Sequence, residues 1–136
     1  MKHSKEVNKM ESCDEDLFCG VNGPDSKDPE KMDALEKKHT PVIEAPDKVK
    51  KGEAFEVVVR AGAYRDHPNE HEHFINSIEL YSGKTFIGRS TFASARANPS
   101  TTFEIRLDHE HPLVAFVHCN LHGTWKSFPK KIEVEK

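Results

Sequence analysis

The sequence predicts an all-β protein, an immunoglobulin-like antiparallel β-sandwich of about seven strands preceded by an irregular N-terminal segment. Three observations predict it. Short stretches rich in β-branched and aromatic residues recur at close spacing after residue 40. Turn-forming residues separate these stretches, and none of the sequence after residue 40 has the apolar spacing of a long amphipathic helix. Seven such stretches within about 100 residues are typical of two packed antiparallel sheets.

The predicted strands follow one another closely along the chain. They are residues 41–46, 55–62, 74–81, 85–92, 100–107, 113–119 and 130–136. The second strand, "FEVVVRAG", follows the lysine- and glycine-bearing turn "DKVKKGE". The third, "FINSIELY", alternates, and its alternation predicts that Ile75 lies on the face opposite to Ile78 and Leu80. "SGK" at 82–84 then indicates a tight turn into a hairpin with the fourth strand.

Residues 1–33 differ in composition from the rest of the chain. They carry nine acidic residues against five lysines, a formal charge of −4, whereas the chain as a whole carries −3. They also lack a periodic apolar pattern, so we expect an irregular acidic N-terminal segment. Residues 34–136 then hold +1 and are long enough for one sandwich domain with its own core.

Composition also argues against several classes of partner. The sequence contains no basic tract interleaved with aromatic residues, so it predicts no nucleic-acid partner. It contains nothing approaching the roughly 18 apolar residues of a membrane-spanning helix, so it predicts no membrane contact. Its first residues lack the apolar run of a secretory signal. Three cysteines, an odd number, are therefore expected as reduced thiols in the cytoplasm.

Nine histidines in 136 residues are many, and four of them fall at the edges of predicted strands. These four are His39, His67, His73 and His122. Strand ends of a sandwich meet at its two poles, where side chains distant in sequence converge, and Cys119 adds a thiolate nearby. The set favours a metal site over coincidence, and imidazoles with one soft thiolate favour a redox metal. The pattern alone does not exclude His71, which shares a strand face with His73.

Three motifs then occur in order: "EKKHTPVIE", "HPNEHEHFINSIELY" and "HCNLHGTW". Together they resemble the superoxide reductase family, the neelaredoxins and desulfoferrodoxins, over most of residues 35–126. The resemblance implies one iron ion per chain, cycling between Fe2+ and Fe3+, with four equatorial histidines and one axial cysteine. The ligands so implied are His39, His67, His73, Cys119 and His122. Matching the second motif favours His67 and His73 over His71 as ligands.

The resemblance also implies an activity and partners. Family members reduce superoxide to hydrogen peroxide, and rubredoxin or a similar small electron carrier reduces them again. They commonly form homodimers or homotetramers. Lys38, which directly precedes the first histidine ligand, is the residue expected to attract the superoxide anion and to order a proton-donating water.

Two features of this chain depart from the family pattern. Desulfoferrodoxins hold a second, rubredoxin-like iron with four cysteines, but the N-terminal part here contains only Cys13 and Cys19, which predicts a single-iron member. The family also usually reads Glu-Lys-His at the first ligand. Here Lys37 and Lys38 precede the histidine, and the glutamate is Glu36, one place too early. In the family, this glutamate can coordinate the ferric iron, and Glu36 can take that role only if the loop shifts by one residue.

The cysteine and histidine pair is also found in other classes of protein. A blue-copper electron carrier also places them on a β-sandwich, but it needs an axial methionine downstream, and all three methionines lie at or before residue 32. That site also leaves the excess histidines unexplained. A thiol catalyst using Cys119 with His122 lacks an orienting carboxylate and an oxyanion hole. A purely structural sandwich or binding module stays open on sequence alone.

Overall fold

The structure, a computed structural model, describes residues 20–136 of the chain. The predictions made for Cys13 and Cys19 therefore lie outside the described residues. Among residues 20–136, no helix has the length and apolar character needed to cross a bilayer. The elements are a 3₁₀ helix at Pro29–Lys31, α1 (Ala34–His39), β1 (Val42–Glu44), β2 (Lys48–Lys50), β3 (Phe55–Arg60), β4 (Ile75–Ser82), β5 (Thr85–Thr91), β6 (Ser100–Ile105), β7 (Leu113–Cys119), β8 (Gly123–Lys126) and β9 (Glu133–Glu135).

The strands form two main antiparallel sheets, which confirms the predicted fold class. One sheet has the order β1-β3-β6 and the other the order β5-β4-β7-β8. Their facing sides supply the core: Val57 and Val59 from one sheet, and Ile78, Leu80 and Val117 from the other, are all fully buried. Burial of each such side chain stabilises the fold by about 1.5–3 kcal/mol.

Residues 20–136 form nine strands rather than the predicted seven. The additional strands are β2, within the charged turn "DKVKKGE", and β8, directly after the last predicted ligand. β2 was missed because Val49 is its only buried residue, and β2 pairs in parallel with β9, in a small separate sheet. The first and last predicted strands are also shorter than expected. The hairpin between β4 and β5 is confirmed, since Ser82 pairs with Thr85.

Strand β4 departs from the simple alternation that its sequence predicts. Its register against β7 shifts between Ile75 and Ser77, so that Ile75 joins Ile78 and Leu80 in the core instead of facing away from them. A bulge adds a residue to one strand of a pair and reorients the side chains beyond it. At this end of the sheet, Ile75 pairs with Cys119, the last residue of β7.

Helix α1 was not among the predicted elements, and its short length explains the omission. It begins with a capping box: Asp33 Oδ1 accepts a hydrogen bond from Glu36 N (2.8 Å), and Glu36 Oε1 accepts one from Asp33 N (2.9 Å). It ends at His39 because Thr40 precedes a proline, which disfavours helical backbone. A single capped helix of six residues thus ends on a predicted ligand.

Part of the predicted N-terminal segment lies against the sandwich. Asn22 N donates to Thr124 O (2.8 Å), and Lys126 N donates to Asn22 O (2.9 Å), so residue 22 extends the four-stranded sheet beside β8. Met32 is also buried. Within residues 20–33 the chain is therefore irregular but packed on the domain. The division of the chain at residue 34 stays a prediction.

Candidate metal site

Four of the five predicted ligands converge at one pole of the sandwich. Each of His39, His67, His73 and Cys119 offers an atom, and these four atoms lie within 4.8 Å of one another. His39 is the last residue of α1, and His67 lies in the loop after β3. His73 lies two residues before β4, and Cys119 is the last residue of β7. His39 is fully buried, and His67 and Cys119 are nearly so.

The fifth predicted ligand, His122, completes a closed cycle of imidazole rings. The ring of His39 contacts that of His67 (centroids 4.7 Å apart), His67 contacts His73 (4.7 Å), His73 contacts His122 (4.9 Å), and His122 contacts His39 (5.0 Å). All four contacts are edge-on, with interplanar angles between 63° and 76°. Cys119 Sγ lies 3.8 Å from His122 Nδ1 and 3.4 Å from His67 Nε2.

Backbone carbonyls fix the orientation of two of these rings. His39 Nδ1–H donates to Leu35 O (2.7 Å), one helical turn earlier, and His67 Nδ1–H donates to the neighbouring Pro68 O (2.6 Å). A carbonyl oxygen only accepts hydrogen bonds, so each Nδ1 must carry the proton. In the neutral ring, Nε2 then presents a lone pair, which is the form that binds a metal.

The resulting arrangement of lone pairs fits a metal cation. His39 Nε2 and His67 Nε2 face each other at 3.1 Å, and His73 Nε2 is buried without a hydrogen-bond partner among the described residues. Burial lowers the pKa of His67 to about 4 and also lowers the pKa values of His39 and His73, so these rings are neutral at pH 7. Neutral lone pairs directed at one another are compatible with a positive ion between them.

Trp125 holds two of the candidate ligands, a role that the sequence did not reveal. Its indole stacks on the His39 ring (4.9 Å between centroids, 15° between planes), and its Nε1–H donates to His122 O (2.9 Å). Trp125 itself is buried. In the sequence, this role is indicated only by the position of Trp125 within the last motif, two residues after Gly123.

Asn69 fixes the loop that carries His67. Its Oδ1 accepts a hydrogen bond from Ala95 N (3.0 Å), and its Nδ2 donates to Ala97 O (3.1 Å). Ala95 has a positive φ of 58°, an unusual conformation for a residue with a side chain, and the hydrogen bond from its backbone helps to hold it. His71, by contrast, is exposed, and its Nδ1 lies 2.9 Å from Ser94 Oγ rather than in the cluster.

The two charged residues of the first motif are placed differently. Lys38 is half-buried next to His39, and its positive charge contributes to lowering the pKa values of both His39 and His73, so it lies within electrostatic range of the cluster. The Glu36 carboxylate accepts the capping hydrogen bond from Asp33 N at the other end of α1. In this arrangement, Glu36 is engaged at the helix N-terminus.

Comparison with known proteins places these features in a family. The desulfoferrodoxin family model matches residues 31–128. The solved superoxide reductase (neelaredoxin) of Ignicoccus hospitalis is 40% identical, covers 85% of this chain and 95% of its own, and superposes with a TM-score of 0.72. The superoxide reductase of Pyrococcus abyssi is 35% identical over 99 residues, which are 66% of this chain and 84% of that protein. A neelaredoxin of Megalodesulfovibrio gigas is 32% identical over 108 residues, 66% of this chain and 83% of its own. The chain therefore belongs to the desulfoferrodoxin family.

Proposed function

We propose that this protein is a superoxide reductase that converts superoxide to hydrogen peroxide at a single iron ion. The observation that carries the proposal is the closed cycle of four imidazoles beside one buried thiol, on a chain that belongs to the desulfoferrodoxin family. The proposed ligands are His39, His67, His73, His122 and Cys119. The relatives described above carry the name superoxide reductase or neelaredoxin, which supports the same activity.

The donor set suits a redox-active iron. Imidazole nitrogens and one thiolate are ligands that iron accepts, and these five residues would hold it. When bound, the iron supplies one electron to superoxide, and two protons complete hydrogen peroxide. The protein's own part is to hold four imidazole rings and one thiolate in place. Burial keeps three of these rings, those of His39, His67 and His73, neutral at pH 7.

Lys38 is proposed to draw superoxide to the site and to order a proton-donating water there. Its charge acts on two of the proposed ligand rings, so the same charge acts on an anion that approaches them. We further propose that Glu36 does not coordinate the ferric form. Its carboxylate already satisfies the Asp33 backbone N–H at 2.9 Å, and this capping bond would have to break first.

The partner of the reaction is proposed to be rubredoxin or a similar small electron carrier. Two exposed apolar side chains, Leu35 (43% exposed) and Leu121 (61%), support docking close to the site. Leu35 supplies the carbonyl that anchors His39, and Leu121 lies between Cys119 and His122. Assembly into a homodimer or homotetramer is a proposal that rests on the family resemblance alone, and a cytoplasmic location stays an expectation from the sequence.

The blue-copper alternative is not favoured. Such a site uses two histidines, one cysteine and a weak axial ligand, whereas four imidazole rings meet here. The family and the relatives also indicate superoxide reduction rather than electron carriage.

Substitution of the cysteines tests the proposed ligand set. Cys119→Ser should abolish the red thiolate-to-iron absorption and most of the activity, because it removes the only proposed sulfur ligand. The matched control replaces both Cys13 and Cys19 by Ser and should keep the iron content and the rate with superoxide. Loss of iron in that control would point to a second metal centre and contradict the single-iron proposal.

A further inference from the structure

Asn120 lies between two proposed ligands, Cys119 and His122, and three of its hydrogen bonds run to the segment around His73. Its backbone N–H donates to Phe74 O (3.2 Å). Its side-chain Oδ1 accepts from Phe74 N (2.9 Å), and its Nδ2 donates to Glu72 O (2.8 Å). One residue thus binds the backbone on both sides of His73.

His73 needs such support more than the two buried rings, His39 and His67, do. The rings of His39 and His67 are each anchored through Nδ1 on a backbone carbonyl. By contrast, the buried His73 Nε2 has no hydrogen-bond partner among residues 20–136. Its orientation therefore depends on the backbone at residues 72–74 and on contacts with neighbouring rings.

The regular sheet cannot supply this support, because it ends one step too early. The last backbone pair between β4 and β7 is Ile75 with Cys119, next to the register shift at Ile75 and Ser77. Beyond this pair, the amide side chain of Asn120 provides a donor and an acceptor in the place of a further peptide group. The two ligand-bearing segments are thereby joined past the end of the ladder.

We propose that Asn120 is a positioning residue that holds His73 in its coordinating orientation relative to Cys119. The inference rests on the proposed metal site and adds a residue that acts through the backbone on both sides of His73. The Asn120 side chain is exposed and contributes nothing to the apolar core. Its removal should therefore weaken metal binding far more than it weakens the fold.

Cobalt(II) titration of the metal-free full-length protein measures this effect without relying on activity. Asn120→Ala should lower the cobalt affinity by about 10–100-fold, the usual effect of removing a residue that orients a ligand. Asn22→Ala is the matched control, because it also removes a side-chain hydrogen bond, the one from Asn22 Nδ2 to Thr124 O (3.0 Å). Thr124 lies on β8, the strand that follows Asn120. That control should stay within about twofold of wild type, and both variants should unfold at similar urea concentrations in the metal-free form.

Combination with ligand variants identifies the ligand through which Asn120 acts. The loss of cobalt affinity caused by Asn120→Ala should persist when His67 is also replaced by Ala. It should shrink to within about twofold when His73 is also replaced by Ala. Equal losses in both backgrounds, or wild-type affinity in Asn120→Ala alone, would overturn the inference while leaving the metal site intact. If the wild-type protein itself binds no cobalt, the proposed metal site is wrong and both proposals fall.

Discussion

Trp125→Phe tests how β8, in the four-stranded sheet, supports the candidate metal site. The substitution keeps an aromatic ring against His39 but removes the Nε1–H that donates to His122 O at 2.9 Å. A partly buried carbonyl left without its partner costs about 1–3 kcal/mol. The smaller ring forfeits roughly another 1 kcal/mol of apolar burial, since Trp125 is only 7% exposed. The free energy of unfolding should therefore fall by about 2–4 kcal/mol.

Urea unfolding of the metal-free protein measures this loss. With a slope of about 2 kcal/mol per molar urea, the midpoint should fall by roughly 1–2 M. Circular dichroism must follow the transition, because Trp125 is the only tryptophan of the chain and the substitution removes its fluorescence. The same variant should bind cobalt about tenfold more weakly, because the His122 backbone loses one of its anchors.

Val57→Ala is the matched control for this experiment. Val57 is fully buried in the opposite sheet, and its truncation should cost about 2–3 kcal/mol through lost burial and a cavity. It should nevertheless leave the cobalt affinity within about twofold. An unchanged midpoint in Trp125→Phe, or an equal loss of cobalt affinity in Val57→Ala, would refute the assignment of a specific supporting role to Trp125.

Three further predictions follow from the site. His71→Ala should keep the metal and its spectrum, because His71 contacts Ser94 outside the cluster, whereas His73→Ala should impair metal retention. Elemental analysis of the purified variants measures the metal content. The reverse result would show that the predicted register of the loop is wrong. Lys38→Ala should slow the reaction with superoxide by about tenfold at low salt, and stopped-flow measurements should show the difference shrinking as salt is added. Glu36→Ala should cost about 0.5–2 kcal/mol of stability, because it removes one half of the capping box. It should leave the rate with superoxide within a few-fold. A carboxylate-bound ferric spectrum that wild type shows and Glu36→Ala lacks would contradict the proposal that Glu36 does not coordinate the iron.

The sandwich itself could be predicted because its strands carry strong local signals. "FEVVVRAG" and "LVAFVHC" are dense in β-branched and aromatic residues, and "SGK" at 82–84 marks the hairpin turn. β2 was not predictable in this way, since two lysines flank its one buried valine and its pairing with β9 is entirely non-local. The register shift in β4 likewise depends on its packing against β7, not on its own alternation.

The proposed ligands could be predicted from their places at strand ends, but their support could not. Helix α1 carries His39 with only six residues, too few for a periodic pattern. The stacking of Trp125 on His39 joins residues 86 positions apart, and the bonds from Asn120 to Glu72 and Phe74 span 48 and 46 positions. Contacts at such separations follow from the tertiary fold, so no local sequence pattern reports them.

In the proposed reaction, a single iron held by this cluster reduces superoxide without also oxidising it. The most direct test mixes the prereduced iron-loaded protein with superoxide under anaerobic conditions and measures hydrogen peroxide, dioxygen and the oxidised site together. We expect one hydrogen peroxide and one oxidised site for each superoxide consumed, with no dioxygen released. One hydrogen peroxide and one dioxygen for every two superoxide ions, or a prereduced site left unoxidised, would contradict it.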